Sequence, residues 1–158
     1  MFRELVRKKL QLSHEECIAV LKSETRGVLS VIGDEGYPYG MPMNHFYNED
    51  DGCIYFHCGK VGHRLEALQK CDKVSFCTYD QGTAKEGDWA LQVKSVIVFG
   101  RVEIVEDMEA IAEITTKLSL KFTEDMDYIR EEIAQHGHRT LLLRLKVEHM
   151  CGKLVTES

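Results

Sequence analysis

Apolar and polar positions alternate along much of the chain, and this pattern predicts a protein built mainly from β-strands. Six strands are predicted, over residues 26–32, 39–47, 53–57, 73–79, 89 or 90 to about 105, and 140–150. Turn-forming residues at 33–36 and 48–52 join the first three strands into hairpins. Strands connected in this way pair with their neighbours, so an antiparallel sheet is expected.

Helical patterns fill four stretches, one before the first strand and three between later strands. Ser13 and Glu16 have the spacing of a capping box, and the apolar residues from 17 to 21 give the following helix one buried face. Further helices are predicted over 63–70, 108–119 and about 125–136, the last with a solvated acidic face. Because helices do not follow each strand, the order favours an α+β antiparallel barrel over a doubly wound α/β sheet.

Size and charge narrow the class of protein further. A chain of 158 residues with 44% hydrophobic residues suits one globular domain, predicted to span 1–158. The net charge of -6 argues against a nucleic-acid partner, which needs a basic surface. The first ten residues are too charged for a signal peptide, and no apolar run is long enough to cross a membrane. Six cysteines without a signal indicate reduced thiols and a cytoplasmic protein.

The junction between the third strand and the second helix carries the most informative chemistry. Gly59 and Gly62 end the strand, and Lys60, His63 and Arg64 accompany the start of the helix. The free N–H groups of a helix start favour an anion, and an arginine can grip it with two hydrogen bonds. The sequence therefore predicts an anion site. The alternative is a plain strand-to-helix turn in which the glycines serve only the backbone.

The second predicted strand is unusual because it contains Pro42 and follows Pro38. Proline cannot donate to a neighbouring strand, so this strand is expected at a sheet edge or in a bulge, where backbone groups stay available to a ligand. Asn44 offers the donor and the acceptor that a planar heterocycle needs. Met41 and Met43 could line a flat apolar slot, or they could belong to ordinary core packing.

Cysteines, histidines and the tryptophan are further candidates for a functional role. No metal site is predicted, because Cys53 and His57 lie roughly 13 Å apart along a strand and His57 and Cys58 point to opposite faces. Cys58 is either a nucleophile with a lowered pKa or a small buried residue at the end of a strand. Trp89, the only tryptophan, is either a core anchor or a ring that covers a ligand.

Three motifs in this order resemble the pyridoxamine 5'-phosphate oxidase-like FMN-binding superfamily, and most of all its nitroimidazole-resistance (Nim-like) branch. They are GYPY and PMN within 36–44, IYFH and GHR within 54–64, and SVIVFGR over 95–101. The resemblance covers nearly the whole chain. It implies an antiparallel Greek-key split β-barrel of about six strands with flanking helices, and a homodimer that binds two FMN molecules at the subunit interface.

The resemblance also implies which residues contact the cofactor. His57 matches the strand-end histidine of the Nim-like branch, and it is the candidate catalytic residue that contacts the substrate. The implied cofactor-binding residues are Met41, Pro42, Met43 and Asn44 at the isoalloxazine edge, His57 and Cys58 near the ribityl chain or ring, Lys60, Gly62, His63 and Arg64 around the phosphate, Lys94 and Ser95 from the partner subunit, and Trp89 over the site with the loop 80–88.

The activity implied by the resemblance is that of an FMN-dependent reductase acting on a small planar, nitroaromatic-like substrate. Electrons would come from a nicotinamide nucleotide or another donor. The C-terminal substrate arginine motif of the oxidase proper has no match here, so oxidation of pyridoxamine phosphate is not predicted. The alternatives are a flavin-binding carrier or sensor without turnover, and a split-barrel protein that binds haem or a deazaflavin.

Overall fold

A curled antiparallel sheet of eight strands forms most of the molecule. The computed structural model describes residues 1–157. The strands are β1 (Arg26–Ile32), β2 (Pro38–Asn44), β3 (Phe46–Asn48), β4 (Cys53–Gly59), β5 (Lys73–Tyr79), β6 (Thr83–Ala84), β7 (Leu91–Val105) and β8 (Thr140–Glu157).

Four helices accompany the sheet, and their starts follow from local capping. They are α1 (His14–Ser23), α2 (His63–Lys70), α3 (Met108–Ser119) and α4 (Met126–His136). The predicted capping box of α1 is present, since the Glu16 N–H donates to Ser13 Oγ at 3.1 Å and the Ser13 N–H donates to Glu16 Oε2 at 2.9 Å. Asp107 and Asp125 cap α3 and α4 in the same way. None of the helices within residues 1–157 is long and apolar enough to cross a membrane.

The strand order is β2-β1-β5-β7-β8-β4-β3, and β6 pairs only with the start of β7. The strand with both prolines is therefore an edge strand, as its sequence predicts. Because the sheet curls, β2 also contacts β4 across its open side. This half-closed antiparallel sheet with flanking helices confirms the predicted α+β split barrel.

Two strands differ from their predicted lengths for physical reasons. The predicted strand 39–47 divides at His45. The ring of this histidine is buried, and its Nε2 lies 2.8 Å from the carbonyl oxygen of Leu21. The last strand continues to Glu157 instead of ending near 150, because β8 pairs with β7 from Val105 back to Leu91. With β6 inside the predicted loop 80–88, the sheet has eight strands and not six.

Both faces of β4 are buried, which is the feature that positions the site. On one face Ile54, Phe56 and Cys58 join the main core inside the curled sheet. On the other face Cys53 and Tyr55 pack under α3 in a second apolar cluster. Residues 53–56 of the strand are therefore buried on both faces, whereas His57 and Gly59 near its end are exposed.

Candidate functional site

The end of β4 lies between two cavities. Strand alternation turns Cys58 towards a pocket beside α2 and His57 towards a cavity beside α3 and α4. The first, which we name the β4–α2 pocket, has a volume of about 240 Å³. The second, the α3–α4 cavity, has a volume of about 230 Å³.

The backbone of the β4–α2 pocket is shaped by a glycine. Gly62 has φ +131° and ψ 168° immediately before α2, a conformation that is essentially restricted to glycine. Among residues 1–157 no side chain caps this helix start, so its first N–H groups stay available. Within the same residues, a Cβ at Gly59 or Gly62 would meet no atom within 4 Å, which leaves open space beside them. An uncapped helix start next to open space fits a phosphate group.

Arg64 brings positive charge to this pocket. Its Nε lies 3.1 Å from Sδ of Met41, a weak acceptor. In the described part of the chain, Arg64 and Lys60 take part in no ion pair shorter than 4.0 Å. Their charges are therefore not neutralised by a carboxylate, and both suit an anionic ligand.

His63 is already held in place by other residues. Its Nε2 lies 3.6 Å from Oδ2 of Asp34, and its ring stacks on Tyr39 with 4.4 Å between the ring centroids. Lys70 approaches the other oxygen of Asp34, also at 3.6 Å. Asp34 and Tyr39 are not predicted from the sequence as site residues, because only the folded hairpin brings them to α2. They fix the histidine against the turn between β1 and β2.

The environment of Cys58 decides between its two interpretations. Burial raises the pKa of the Cys58 thiol, and the nearby charge of Arg64 opposes this rise only in part. The thiol is therefore protonated at neutral pH, and a thiol is a weak nucleophile. The structure favours the small buried residue over the reactive cysteine.

His57 forms the sheet side of the α3–α4 cavity and does not line the β4–α2 pocket. Partial loss of solvent lowers the pKa of His57, and the positive charge of Arg64 lowers it further. The imidazole is consequently neutral at pH 7, with one nitrogen able to donate and the other to accept.

The remaining residues of the predicted β2 segment have separate surroundings. Met43 is buried in the main core, whereas Pro42 is exposed on the outer face of β2. Asn44 accepts a hydrogen bond from Arg26 Nε at 3.1 Å. Of β2, Met41 and Tyr39 line the β4–α2 pocket, whereas Pro42, Met43 and Asn44 do not.

The residues predicted to act from the partner subunit also lie away from the pocket within one chain. Lys94 pairs with Glu16 at 3.3 Å, and the Ser95 hydroxyl donates to the Lys153 carbonyl at 3.3 Å. Trp89 is 79% exposed in the loop before β7, so it is not a core anchor. The single chain thus brings together Met41, Cys58, Gly62, His63 and Arg64, with Lys60 beside them.

The side chains that α3 and α4 contribute to the α3–α4 cavity are not predicted from the sequence. Thr115, Tyr128 and Glu132 line it, although the sequence of α4 predicts only a solvated acidic face. Their one signal is their spacing on amphipathic helices, which is shared by many surface residues. Among residues 1–157, no three His, Cys, Asp or Glu side chains are grouped to hold a metal ion.

Comparison with solved structures finds the same fold in several bacterial proteins. A proposed 5-nitroimidazole antibiotic resistance protein from Bacteroides thetaiotaomicron superposes with a TM-score of 0.76 at 20% identity, covering 94% of this chain and 88% of the other. A conserved hypothetical protein from Mycobacterium tuberculosis superposes with a TM-score of 0.80 at 20% identity, covering 95% of this chain and 90% of the other. A FAD-binding protein from Mycobacterium smegmatis superposes with a TM-score of 0.66 at 21% identity, covering 94% of this chain and 99% of the other.

These likenesses concern the fold alone. No curated protein matches the chain by sequence. The family model described as pyridoxamine 5'-phosphate oxidase matches residues 13–154, which is most of the chain. The chain therefore belongs to the pyridoxamine 5'-phosphate oxidase family, as its three motifs predict.

Proposed function

We propose that this chain is a single FMN-binding domain over 1–158 and works as a flavin-dependent reductase of a small planar, nitroaromatic-like substrate. The observation that carries the proposal is the β4–α2 pocket, where a glycine-shaped, uncapped helix start stands beside the unpaired charges of Arg64 and Lys60. Family membership and the FAD-binding relative of the same fold support a flavin as the ligand.

FMN fits this pocket better than FAD on the basis of charge. Arg64 lines the pocket, Lys60 lies next to it in the chain between the lining residues Gly59 and Val61, and His63 adds a hydrogen-bonding ring; this one group of side chains suits one terminal phosphate. Met41 lies at the same pocket and would contact the cofactor beyond the phosphate. Pro42, Met43 and Asn44 continue this edge of the sheet, and Cys58 closes the pocket from inside.

The function is proposed to require a homodimer. The outer face of β1 and β7 exposes Val28, Ile97 and Phe99, each between 36% and 41% accessible. Ser95 and Tyr79 lie on the same face, directly opposite each other in the β5–β7 ladder. A contiguous apolar sheet face of this kind is typical of a protein interface. Pairing through it would bring Ser95, with Lys94, towards the cofactor of the partner subunit.

The bound flavin supplies the redox chemistry, and the protein supplies binding and orientation. Arg64 and the start of α2 would hold the phosphate, while the neutral imidazole of His57 would form a hydrogen bond with the substrate. Trp89, exposed in the loop before β7, would cover the site and exclude water. The catalytic role of His57 belongs to this proposal.

Flavin titration of the purified protein tests the cofactor. We expect a yellow protein, or one that takes up FMN with higher affinity than FAD. Arg64→Ala should weaken FMN binding by about 1.5–3 kcal/mol, the scale of a hydrogen bond to a charged group. Lys70→Ala is the matched control, because Lys70 lies on the same helix and pairs with Asp34. A colourless protein that takes up no flavin would refute the proposal.

Turnover is tested separately from binding. The FMN-loaded protein is mixed with NADH or NADPH, and electron transfer to a nitroaromatic acceptor is followed by absorbance. Reduction of the acceptor supports the reductase. Flavin that binds but is never reduced would favour a carrier or sensor, and a Soret band in the purified protein would identify a haem protein instead.

A further inference from the structure

A third cavity lies beside the end of α3 and, within residues 1–157, shares no lining residue with the two cavities at β4. Lys22 of α1 and Lys117 of α3 line it together with Phe46 and Tyr47 of β3, and we name it the α1–α3 cavity. Lys121, just after the end of α3, also lines it. Its volume of about 240 Å³ has room for a molecule the size of an aromatic ring.

The amine of Lys121 is held by two backbone carbonyls. Its Nζ donates to the carbonyl oxygen of Glu24 at 2.6 Å and to that of His45 at 2.9 Å. As far as the chain is described, no carboxylate oxygen lies within 4.0 Å of this nitrogen. An unprotonated amine has two N–H bonds and one lone pair. With both N–H bonds directed at carbonyls, the lone pair points away from them and is free to react.

Lys121 also loses its proton more readily than an ordinary lysine. Its side chain is half-buried, and burial lowers the pKa of Lys121 to about 8, although the negative charge of Glu24 opposes this change. At pH 7.5 about a quarter of such amines are unprotonated, compared with about 0.1% at the usual lysine pKa of 10.5. Because the unprotonated amine is the nucleophile, Lys121 combines a reactive group with a cavity beside it.

The other charges of this cavity are already paired with one another. Lys22 pairs with Glu49 at 3.1 Å, and Lys117 pairs with Glu113 at 2.9 Å. Lys117 also lies 3.8 Å from a carboxylate oxygen of Asp50. Once the free amine had reacted, an anionic ligand would find no unpaired cation here, and it would meet two carboxylates. The lining therefore favours an uncharged ligand.

We propose that the α1–α3 cavity is a reversible covalent binding site for small uncharged aldehydes, with Lys121 as the attacking amine. Nζ adds to the aldehyde carbon, and the aldehyde oxygen leaves as water together with the two amine hydrogens. A C=N bond thus replaces the C=O bond without any transfer of electrons, and water reverses the reaction. Phe46 and Tyr47 supply aromatic surface for the rest of the aldehyde.

Reductive trapping on the whole 158-residue protein at pH 7.5 tests this site. Benzaldehyde is the probe, and cyanoborohydride converts its imine into a stable benzylamine, which peptide mass spectrometry locates. We expect Lys121 to be labelled faster than the exposed Lys9 by about tenfold or more. The rate at Lys121 should saturate as the benzaldehyde concentration rises, because binding in the cavity precedes reaction. This measurement needs no variant, so it does not depend on how a variant folds.

A matched probe and two variants make the result specific. 4-Carboxybenzaldehyde differs from benzaldehyde by one carboxylate, and relative to Lys9 it should label Lys121 more slowly by about threefold or more. Lys121→Arg should abolish the saturable labelling, although arginine can still donate to both carbonyls. Lys22→Arg is the control, because it keeps the ion pair with Glu49 and should leave labelling of Lys121 within about twofold.

Three results would overturn the proposal. Equal labelling of all lysines would show that Lys121 has no special reactivity. A rate at Lys121 that rises without saturation would show a reactive amine with no binding site beside it. Equal or faster labelling by the carboxylated probe would contradict the preference for an uncharged ligand. None of these outcomes depends on flavin uptake, which tests the proposed function separately.

Discussion

Gly62 is the residue on which the proposed phosphate site depends most. Its φ of +131° with ψ of 168° is closed to side-chain-bearing residues by steric clash within the backbone. This conformation joins β4 to α2 and leaves the helix start without a side-chain cap. Gly59, at the end of β4, has equal open space around it but no positive φ.

The two glycines therefore form a matched pair for mutagenesis. Gly62→Ala should cost about 1–3 kcal/mol in stability at the strained position, or move the helix start and weaken FMN binding by a similar amount. Gly59→Ala should leave thermal unfolding nearly unchanged. Thermal melts and FMN titration measure both effects. If the two variants were indistinguishable, the backbone conformation of Gly62 would have no special role.

His45 is the most deeply buried titratable residue outside the site. Nε2 lies 2.8 Å from the Leu21 carbonyl, and Nδ1 has no partner among the residues described. Lys121 donates to the carbonyl of His45 and adds positive charge nearby. Burial, followed by this charge, lowers the pKa of His45 to about 4.

His45 should make the fold sensitive to acid. The unfolded chain binds a proton at this histidine near pH 6.5, whereas the folded chain binds it near pH 4. Stability should therefore fall as the pH decreases from about 6.5 to 4, by up to about 3 kcal/mol. In His45→Gln, which can still donate to Leu21, urea unfolding should depend less on pH across this range. His14→Gln, an exposed control, should keep the full dependence.

Elements with local start signals could be predicted from the sequence, and those fixed by distant pairing could not. The bounds of α2 and α3 match their predictions, because a glycine turn and the Asp107 cap lie directly before them. The length of β8 was underestimated, since its last residues are strand only through their ladder with β7. The short strand β6 is not predicted for the same reason, because its two residues are strand only through their pairing with β7.

The same distinction applies to the two cavities. The β4–α2 pocket comes from one continuous stretch of chain, so its glycines and Arg64 were recognisable by spacing. The α3–α4 cavity depends on how far two helices stand from His57, which no local pattern encodes. Thr115 therefore looks like any other residue of an amphipathic helix.

The helix α4 is the element with the weakest attachment around the site. Ile129 is its one buried residue, whereas α3 buries Ile111, Ile114 and Leu118. Its start depends on Asp125, whose carboxylate accepts the Tyr128 N–H at 3.0 Å. Loss of this cap should consequently affect the helix and the cavity wall that it forms.

Removing the caps of α3 and α4 compares the two helices directly. Asp125→Ala should cost about 1 kcal/mol and increase hydrogen exchange throughout α4. Asp107→Ala should lower the free energy of unfolding by a similar amount. Its faster hydrogen exchange should be confined to the first turn of α3, because the buried side chains of α3 hold the rest of the helix on the core. Equal exchange along both helices would contradict the weak attachment of α4.

At the scale of the molecule, the outer sheet face is the surface that a partner would cover. Register places Val28, Cys77, Ile97 and Cys151 side by side across four strands. At one border Phe2 stacks on Phe99, so the N-terminal residues already cover part of this face. The centre of the row, at Ile97, stays 39% exposed.

A charge at the centre of this face should separate the proposed dimer. Ile97→Glu should sediment as a monomer in analytical ultracentrifugation and lose FMN affinity, because buried unpaired charge is costly. Phe122→Glu, at an apolar residue exposed between α3 and α4, should remain a dimer. Circular dichroism checks that both variants fold. A dimeric Ile97→Glu would place the interface elsewhere.

The position of β4 between two cavities has a thermodynamic consequence. Arg64 lies at one cavity, yet its charge contributes to the lowered pKa of His57 at the other. An anion bound beside Arg64 would offset that charge and raise the affinity of His57 for a proton. By reciprocity, protonation of His57 must tighten anion binding by the same factor. An anion in the β4–α2 pocket thus raises the proton affinity of His57 in the α3–α4 cavity.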